Sequence, residues 1–192
     1  MERLKSIFEK LYTQFPMHGN LVFIDLETTG FEKDAKIIEI GAIAVKFNGF
    51  DIEFEKFESL IHPMQKIASI ITEVTGITND DLVDAPGDEE VYGKFKKWFD
   101  SLSASRIVAH NARFDESKLK YNLYRTNTYL VLPEFVCTME MSRKILKDIK
   151  NDKLKTVAEK FNFLNNQAHR ALADTEVCAF VYAKMILGEV ND

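Results

Sequence analysis

The sequence has few cysteines and few prolines, and each shortage excludes a class of protein. Only two cysteines, Cys137 and Cys178, occur in 192 residues. Their spacing does not fit a metal site, so we expect two reduced, packed thiols, as in a cytosolic protein. The four prolines and eight glycines form no low-complexity or linker tract. We therefore expect one compact domain rather than a string of separate domains.

Long hydrophobic runs are also missing. No apolar stretch approaches the ~18 residues of a membrane span. Residues 1–15 do not resemble a signal peptide, because charges interrupt any apolar stretch there, at Glu2, Arg3, Lys5, Glu9 and Lys10. We expect a cytoplasmic protein with no membrane association.

The sequence has no surplus of positive charge. Its 25 Lys and Arg residues face 30 Asp and Glu residues, a formal net charge of −5. This balance argues against a protein that coats long duplexes through a broad basic surface. It does not argue against an enzyme that grips one strand end and uses cations for the rest, although it predicts weak non-specific DNA binding.

What the sequence does contain is a run of strands followed by helices. Apolar, β-rich segments predict five strands, at 21–26, 37–45, 51–61, 106–109 and 135–138. Helical periodicity predicts helices at 2–13, 69–74, 89–99, 112–124, 139–147, 153–161 and 170–187, with an N-cap region at 78–81. This order indicates an α/β domain with a mixed sheet: a meander first, then helix-linked parallel strands.

The first strand ends in two acids, in the stretch LVFIDLETTG at 21–30. Alternate strand residues share a face, so Asp25 and Glu27 point the same way. Because both faces of this strand are apolar, it is predicted to be central, with its acids at the sheet end where α/β proteins bind ligands. The alternative, a strand that ends at Ile24 and two solvated loop acids, stays open on this stretch alone.

A third acid lies on the apolar stripe of the last helix. The stripe follows the steps 3, 4, 3, 4 and consists of Ala171, Asp174, Cys178, Val181 and Met185. Asp115 opens the helix after the fourth strand, where it could instead only stabilise the helix N-terminus. Converging carboxylates suit Mg²⁺ or Mn²⁺. Two such ions ~3.5–4 Å apart form the clamp that nucleases use.

The same chemistry needs a base for the attacking water. His169 lies five residues before Asp174, and the ordinary pKa of histidine suits proton abstraction near neutrality. A surface or helix-cap role is the alternative for His169. His62 and His110 are competing candidates, whereas His18 looks like part of a linker.

Three motifs occur in a fixed order: D-L-E-T-T-G at 25–30, H-N-A-R-F-D at 110–115 and H-R-A-L-A-D at 169–174. Together they resemble the DEDDh branch of the 3′→5′ exonuclease superfamily, which includes the proofreading epsilon subunit and the polymerase-embedded exonuclease of bacterial DNA polymerase III. The stretch at 72–86 also resembles that group. The resemblance runs from about residue 20 to 187. It implies a ribonuclease-H-like fold with a mixed five-stranded sheet flanked by helices, and two divalent cations, Mg²⁺ or Mn²⁺.

The resemblance also implies a role for each matching residue. Asp25, Glu27 and Asp174 would hold the tighter metal, with Asp25 shared. Asp115 would act on the second metal, and His169 would be the general base. The implied substrate-binding residues are Leu26, Thr28, Thr29, Thr75, His110, Asn111 and Phe114, with His110 supporting its motif from behind.

Two departures from the family pattern stand out. Thr75 occupies a position where epsilon-type proteins often carry histidine, so we expect a weaker substrate contact there. The chain ends at Asp192, without the tail by which the epsilon subunit grips its polymerase. Residues 1–18 are expected to form an N-terminal helical extension before an exonuclease domain at 19–188. Its apolar stripe could bind a partner, but packing on its own domain is the favoured interpretation.

Three functions are compatible with these motifs. The first is a metal-dependent 3′→5′ exonuclease acting on the 3′ end of single-stranded DNA in proofreading or repair, with DNA polymerase III subunits as partners. The second is an exoribonuclease of the same family. The third is a non-catalytic polymerase accessory subunit, which the intact set of acids argues against.

Overall fold

The computed structural model describes residues 1–49, 51–147, 149–163 and 169–189. Within these ranges one mixed sheet forms, with the strand order β3-β2-β1-β4-β5. Its strands are β1 Asn20–Thr28, β2 Ile37–Asn48, β3 Asp51–Leu60, β4 Ala104–Ala109 and β5 Phe135–Cys137. The first three form an antiparallel meander, and β4 and β5 add in parallel to β1. The predicted five-stranded mixed sheet is confirmed, and β1 lies at its centre.

The seven predicted helices are found with ends within two residues of the predicted ones, and a further short helix begins at the N-cap region predicted at 78–81. They are α1 Glu2–Gln14, α2 Ser69–Thr75, α3 Asn79–Val83, α4 Asp88–Asp100, α5 Ala112–Arg125, α6 Thr138–Ile145, α7 Leu154–Lys160 and α8 Ala171–Ile186. The predicted N-cap is Thr78, which forms a capping box with Asp81. Across the described ranges, no helix combines the length and the apolar character that a membrane crossing requires. The cytoplasmic location stays a prediction.

The central strand is buried on both faces. Leu21 and Phe23 belong to the hydrophobic cluster that α1 and α8 cover. Val22, Ile24 and Leu26 belong to a second cluster, under α4 and α5. Burial of each such side chain contributes about 1.5–3 kcal/mol, so the two clusters fix β1 firmly between the helix layers. Cys178 lies in the first cluster, and both cysteines are free thiols.

The helix α1 completes the first cluster. Its four buried side chains are Leu4, Ile7, Phe8 and Leu11. The ring of Phe8 meets that of Phe23 edge-on, with centroids 5.7 Å apart. The apolar stripe of α1 therefore lies against the sheet.

A crevice opens where β1 and β4 separate. The two strands are paired only from Asn20 opposite Ala104 to Phe23 opposite Val108. Beyond this point β1 continues to Thr28, whereas β4 ends at Ala109 and the chain turns into α5. Ligand sites in open α/β sheets form in such crevices at the carboxyl ends of strands.

Candidate active site

The β1 acids lie inside the sheet and not in a loop. The strand continues past Ile24 to Thr28, so the loop alternative is wrong. Asp25 lies opposite Gly41 of β2, and Glu27 lies opposite Glu39. Both acids are half-buried. They share the face of Leu21 and Phe23, so they point toward the α8 side of the sheet.

Asp115 joins them from the first turn of α5. Its side chain is only 3% exposed. The backbone N–H groups of Asp115 itself and of Leu26 lower the pKa of this carboxylate, although burial raises it more. The contact with Leu26 ties the start of α5 to the acid-bearing end of β1.

Asp174 and His169 enter from the start of α8. The Oδ2 atom of Asp174 accepts a hydrogen bond from the backbone N–H of His169 at 2.9 Å. This contact holds His169 in a left-handed conformation with φ 66°, which non-glycine residues adopt rarely and mostly at constrained sites. Potential ligand atoms of Glu27, His169 and Asp174 all lie within 4.8 Å of one another.

These side chains surround one small cavity of about 170 Å³. Its lining consists of Asp25, Leu26, Glu27, His110, Asn111, Phe114, Asp115, Leu154, His169 and Asp174. The structure therefore brings together all five residues that the motifs predict to be catalytic, from β1, α5 and the start of α8.

The clustered acids strongly perturb one another. Burial raises the pKa of Asp25 well above its ordinary value, and the negative charges of Asp115 and Glu27 raise it further. Burial, followed by the charge of Asp174, raises the pKa of Glu27 to about 8. Burial also raises the pKa of Asp115 to about 7. Hard carboxylate oxygens held this close suit divalent cations, which would relieve the repulsion.

A larger cavity of about 300 Å³ adjoins the acids. It shares Leu26, Glu27 and Phe114 with the small cavity, and its other lining residues are Thr28, Thr29, Gly30, Phe31, Glu32, Ala68, Ile70, Ile71, Val74 and Thr75. Predicted substrate residues thus divide between the two cavities: Thr28, Thr29 and Thr75 line the larger one, whereas His110 and Asn111 line the smaller one.

The threonines of the larger cavity already use their hydroxyl groups. Thr28 Oγ1 donates to the Gly30 carbonyl at 2.7 Å, and Thr75 Oγ1 donates to the Ile71 carbonyl at 2.9 Å. The backbone N–H of Lys36 donates to Thr29 Oγ1 at 3.0 Å. Because these hydroxyl groups bind the backbone, the cavity wall is largely apolar.

The structure separates the histidine candidates. Both ring nitrogens of His110 contact the protein: Nδ1 lies 2.9 Å from Thr138 Oγ1, and Nε2 lies 2.8 Å from the Asp152 carbonyl oxygen. Burial lowers the pKa of His110. His62 accepts a hydrogen bond from Met64 N at its Nδ1 atom and lines neither cavity. Of the three candidates for the base, His169 is the one whose ring lies among the acids.

Two residues of β2 that the sequence motifs do not include position α8. Glu39 is completely buried. Its Oε1 atom accepts hydrogen bonds from Arg170 Nε at 3.0 Å and Nη2 at 2.6 Å, and its Oε2 atom accepts one from Ala171 N at 2.8 Å. Gly41 lies under the first turn of α8, where Thr175 Oγ1 donates to its carbonyl oxygen at 3.0 Å. The sequence signal that could have identified both residues is the presence of an acid and a glycine inside an otherwise apolar strand.

A third missed residue is Lys118 of α5, which is 2% exposed. Its Nζ atom donates to the carbonyl oxygens of Phe31, at 2.9 Å, and of Glu32. The next turn of the same helix adds Asn122, whose Nδ2 atom donates to the Ala35 carbonyl at 3.1 Å. The interior face of α5 therefore holds the loop after β1, which forms one wall of the larger cavity.

Comparisons with known proteins agree with this geometry. The sequence model of the exonuclease family RNase_T matches residues 22–182. A PolC-type DNA polymerase III from Bacillus cereus is 35% identical over 166 residues, which cover 86% of this chain and 11% of the relative. The chain thus spans about a tenth of the length of this curated relative.

Solved structures show the same fold. Exonuclease X in complex with 5′ overhanging duplex DNA superposes with a TM-score of 0.62 and 26% identity, covering 87% of this chain and 91% of that one. The nuclease domain of 3′hExo, described as a DEDDh family member bound to rAMP, superposes with a TM-score of 0.74 and 17% identity, covering 92% of this chain and 98% of that one. The predicted ribonuclease-H-like fold is confirmed. With its five DEDDh residues around one cavity and the family match over most of its length, the chain belongs to the DEDDh branch of the exonuclease family.

Proposed function

We propose that the protein is a metal-dependent 3′→5′ exonuclease that hydrolyses phosphodiester bonds at the 3′ end of single-stranded DNA and releases nucleoside 5′-monophosphates. The observation that carries this proposal is the convergence of four carboxylates and His169 on one small cavity beside a larger apolar one. The similarity to PolC-type DNA polymerase III favours a role in proofreading or repair, with polymerase III subunits as protein partners.

The carboxylates would hold two divalent cations, Mg²⁺ or Mn²⁺. Asp25, Glu27 and Asp174 are the ligands proposed for the tighter ion, with Asp25 shared, and Asp115 acts on the second. The raised pKa values of Asp25 and Glu27 support this assignment, because part of each shift comes from repulsion by neighbouring acids, which a cation relieves. When bound, two such cations stabilise the charge on the attacking and leaving oxygens.

His169 is the proposed general base. Its ring lies beside Glu27 and Asp174, while the residue as a whole is exposed, so a proton taken from the attacking water can pass to solvent. The bond from its backbone N–H to Asp174 fixes its position relative to the acids. A base fixed in this way needs no reorientation before it acts.

The larger cavity is the proposed site of the terminal nucleoside. Its apolar wall, from Phe114 and Leu26 to Ile71 and Val74, offers surfaces against which a base can stack. Glu27 lies between the two cavities. A nucleoside in the larger cavity therefore places its 5′ phosphate at the acids.

Strand degradation with defined ends tests this proposal. We expect 5′-labelled single-stranded DNA to shorten stepwise from its 3′ end in Mn²⁺, with release of nucleoside 5′-monophosphates and no reaction in EDTA. Asp25→Ala should abolish the reaction, whereas Asp51→Ala, at an exposed acid of β3, should leave it unchanged. If the wild type degrades neither DNA nor RNA, the proposal is refuted. If it prefers RNA, then RNA and not DNA is the substrate.

The role of His169 has its own test. His169→Ala should lower the turnover number by about 10²–10⁴-fold, the usual contribution of a general base, while Mn²⁺ binding measured by calorimetry is largely kept. Loss of Mn²⁺ binding in this variant would mean that His169 is a metal ligand instead.

A further inference from the structure

Positive charge is concentrated in one segment of this acidic chain. Residues 143–155 contain six Lys and Arg residues and two Asp residues, a formal charge of +4. Since the whole chain carries −5, the remaining residues together carry −9. A local reversal of sign of this size creates a surface that attracts anions.

The lysines of this segment are exposed. They are Lys144, Lys147, Lys150, Lys153 and Lys155, and we call them the basic surface. None of them forms an ion pair with another residue in the described ranges. By contrast, Lys94, Lys96 and Lys120 each pair with an acid one helical turn away. The basic surface therefore has its charge available for a ligand.

The basic surface is anchored beside the acids. The carbonyl oxygen of Asp152 lies 2.8 Å from Nε2 of His110, and the Asp152 carboxylate pairs with Arg143. Leu154, between Lys153 and Lys155, lines the small cavity together with the four carboxylates. The segment is thus held at the rim of the small cavity, and its lysines flank a residue of the cavity wall.

The two cavities set the direction of a bound strand. A terminal nucleoside in the larger cavity places its 5′ phosphate at the acids, so the rest of the strand continues from there. Leu154, His110 and His169 line the small cavity but not the larger one. Leu154 therefore belongs to the part of the small cavity's wall that the nucleoside site does not share.

We propose that Lys150, Lys153 and Lys155 bind backbone phosphates of the single strand as it leaves the active site, upstream of the nucleotide that is removed. This inference rests on the proposed function. It explains how a chain of net charge −5 can hold a polyanion, because residues 143–155 carry a formal charge of +4. An acidic protein partner is the alternative ligand, and the adjacency to the active-site cavity favours the strand.

Salt dependence measures such contacts directly. For single strands the logarithm of the binding constant falls with the logarithm of the salt concentration with a slope of about 0.7 per phosphate contact. Three contacts correspond to a slope of about 2, or to a loss of about 20-fold in affinity between 50 and 200 mM NaCl. The triple variant K150Q/K153Q/K155Q should lack this part of the salt dependence.

Binding of 5′-fluorescein-labelled dT12 is followed by anisotropy in an Asp25→Asn background, so that the strand is not degraded. We expect the triple variant to bind more weakly than its parent at 50 mM NaCl. Raising the salt from 50 to 200 mM should then weaken binding by the parent about 20-fold more than binding by the triple variant. The control K5Q/K94Q/K97Q removes the same charge from α1 and α4 and should behave like the parent. Equal salt slopes in parent and triple variant would overturn the proposal and favour a protein ligand.

A second substrate separates this proposal from the proposed function. The p-nitrophenyl ester of thymidine 5′-monophosphate has no upstream phosphate, so K150Q/K153Q/K155Q in the otherwise wild-type chain should hydrolyse it at the wild-type rate in Mn²⁺. The KM for dT12 should rise at 50 mM NaCl, with kcat unchanged. Loss of ester hydrolysis in the variant would overturn the assignment to upstream phosphates. If the wild type hydrolyses neither substrate, the proposed function fails, while the anisotropy slopes still decide whether the basic surface binds the strand.

Discussion

Replacing Gly41 by alanine would force the start of α8 away from the sheet. A Cβ atom on this residue would lie 2.2 Å from Leu172 N, 2.4 Å from Ala171 C and 2.6 Å from Leu172 Cα. Nonbonded heavy atoms are comfortable at roughly 3.5 Å. The obstacles are backbone atoms and cannot rotate aside, so β2 and α8 must separate by about 1 Å.

This displacement acts directly on the reaction. His169 and Asp174 both sit on the segment that must move, whereas Asp25 and Glu27 stay with the sheet. A misplacement of about 1 Å can cost about 10²-fold in rate. We expect Gly41→Ala to lower the turnover number by about 100-fold, and overpacking should cost about 1–3 kcal/mol of stability.

The assay is exonuclease turnover on a labelled oligonucleotide, together with urea unfolding. Gly93→Ala is the matched control, because a Cβ at this position in α4 meets no atom within 4 Å. As a helix-interior glycine, it should gain about 0.8–1 kcal/mol of stability and keep full activity. If Gly41→Ala keeps its turnover number within twofold of the wild type, the close approach of α8 to Gly41 does not determine the geometry of the site.

Three further predictions follow from buried contacts. Glu39→Gln removes the charge that holds Arg170. We expect it to lower the free energy of unfolding in urea by about 2–3 kcal/mol and to lower the turnover number. The control Glu55→Gln, at an exposed ion pair of β3, should cost less than 1 kcal/mol. Equal effects of the two changes would contradict the positioning role of Glu39. Phe8→Ala should destabilise the fold by about 3–5 kcal/mol, since its ring is fully buried in the core; a loss below 1 kcal/mol would mean that α1 detaches freely. The pKa of Glu27 is raised to about 8 in the fold, so between pH 6.5 and 8 the unfolded chain binds fewer protons, and the metal-free protein should lose stability as the pH rises. Thermal melting in EDTA at different pH values checks this. Mn²⁺ should raise the melting temperature more at pH 8 than at pH 6.5. If a Glu27→Gln variant shows the same pH dependence of melting as the wild type, Glu27 is not the source of that dependence.

Local patterns in the sequence account for much of the fold. The strand 21–26 was predicted to be central because both of its faces are apolar, and β1 is buried between two clusters. Asp174 was placed on the packing face of the last helix by periodicity alone, and it lies beside Glu27 and His169. These features depend on the alternation of residues within one element, which the sequence displays directly.

The parts that were missed depend on contacts between distant segments. Glu39 and Gly41 meet α8 from about 130 residues away, and only the folded chain shows that the apolar strand must leave room for a helix backbone. The sequence does not distinguish Lys118 from Lys120 on the same helix, yet Lys118 is buried against the loop after β1. Periodicity identifies which side of an element is buried; it does not identify what that side contacts.

The arrangement of the acids along the chain has a consequence during synthesis. Asp25 and Glu27 are made about 150 residues before His169, which precedes α8, and Asp174, which lies in its first turn. Chains are made from the N-terminus at about 5–20 residues per second, so the ribosome has exposed the sheet well before α8 can dock on it. A nascent chain without α8 therefore lacks both His169 and Asp174, and its acid cluster stays incomplete until α8 is made.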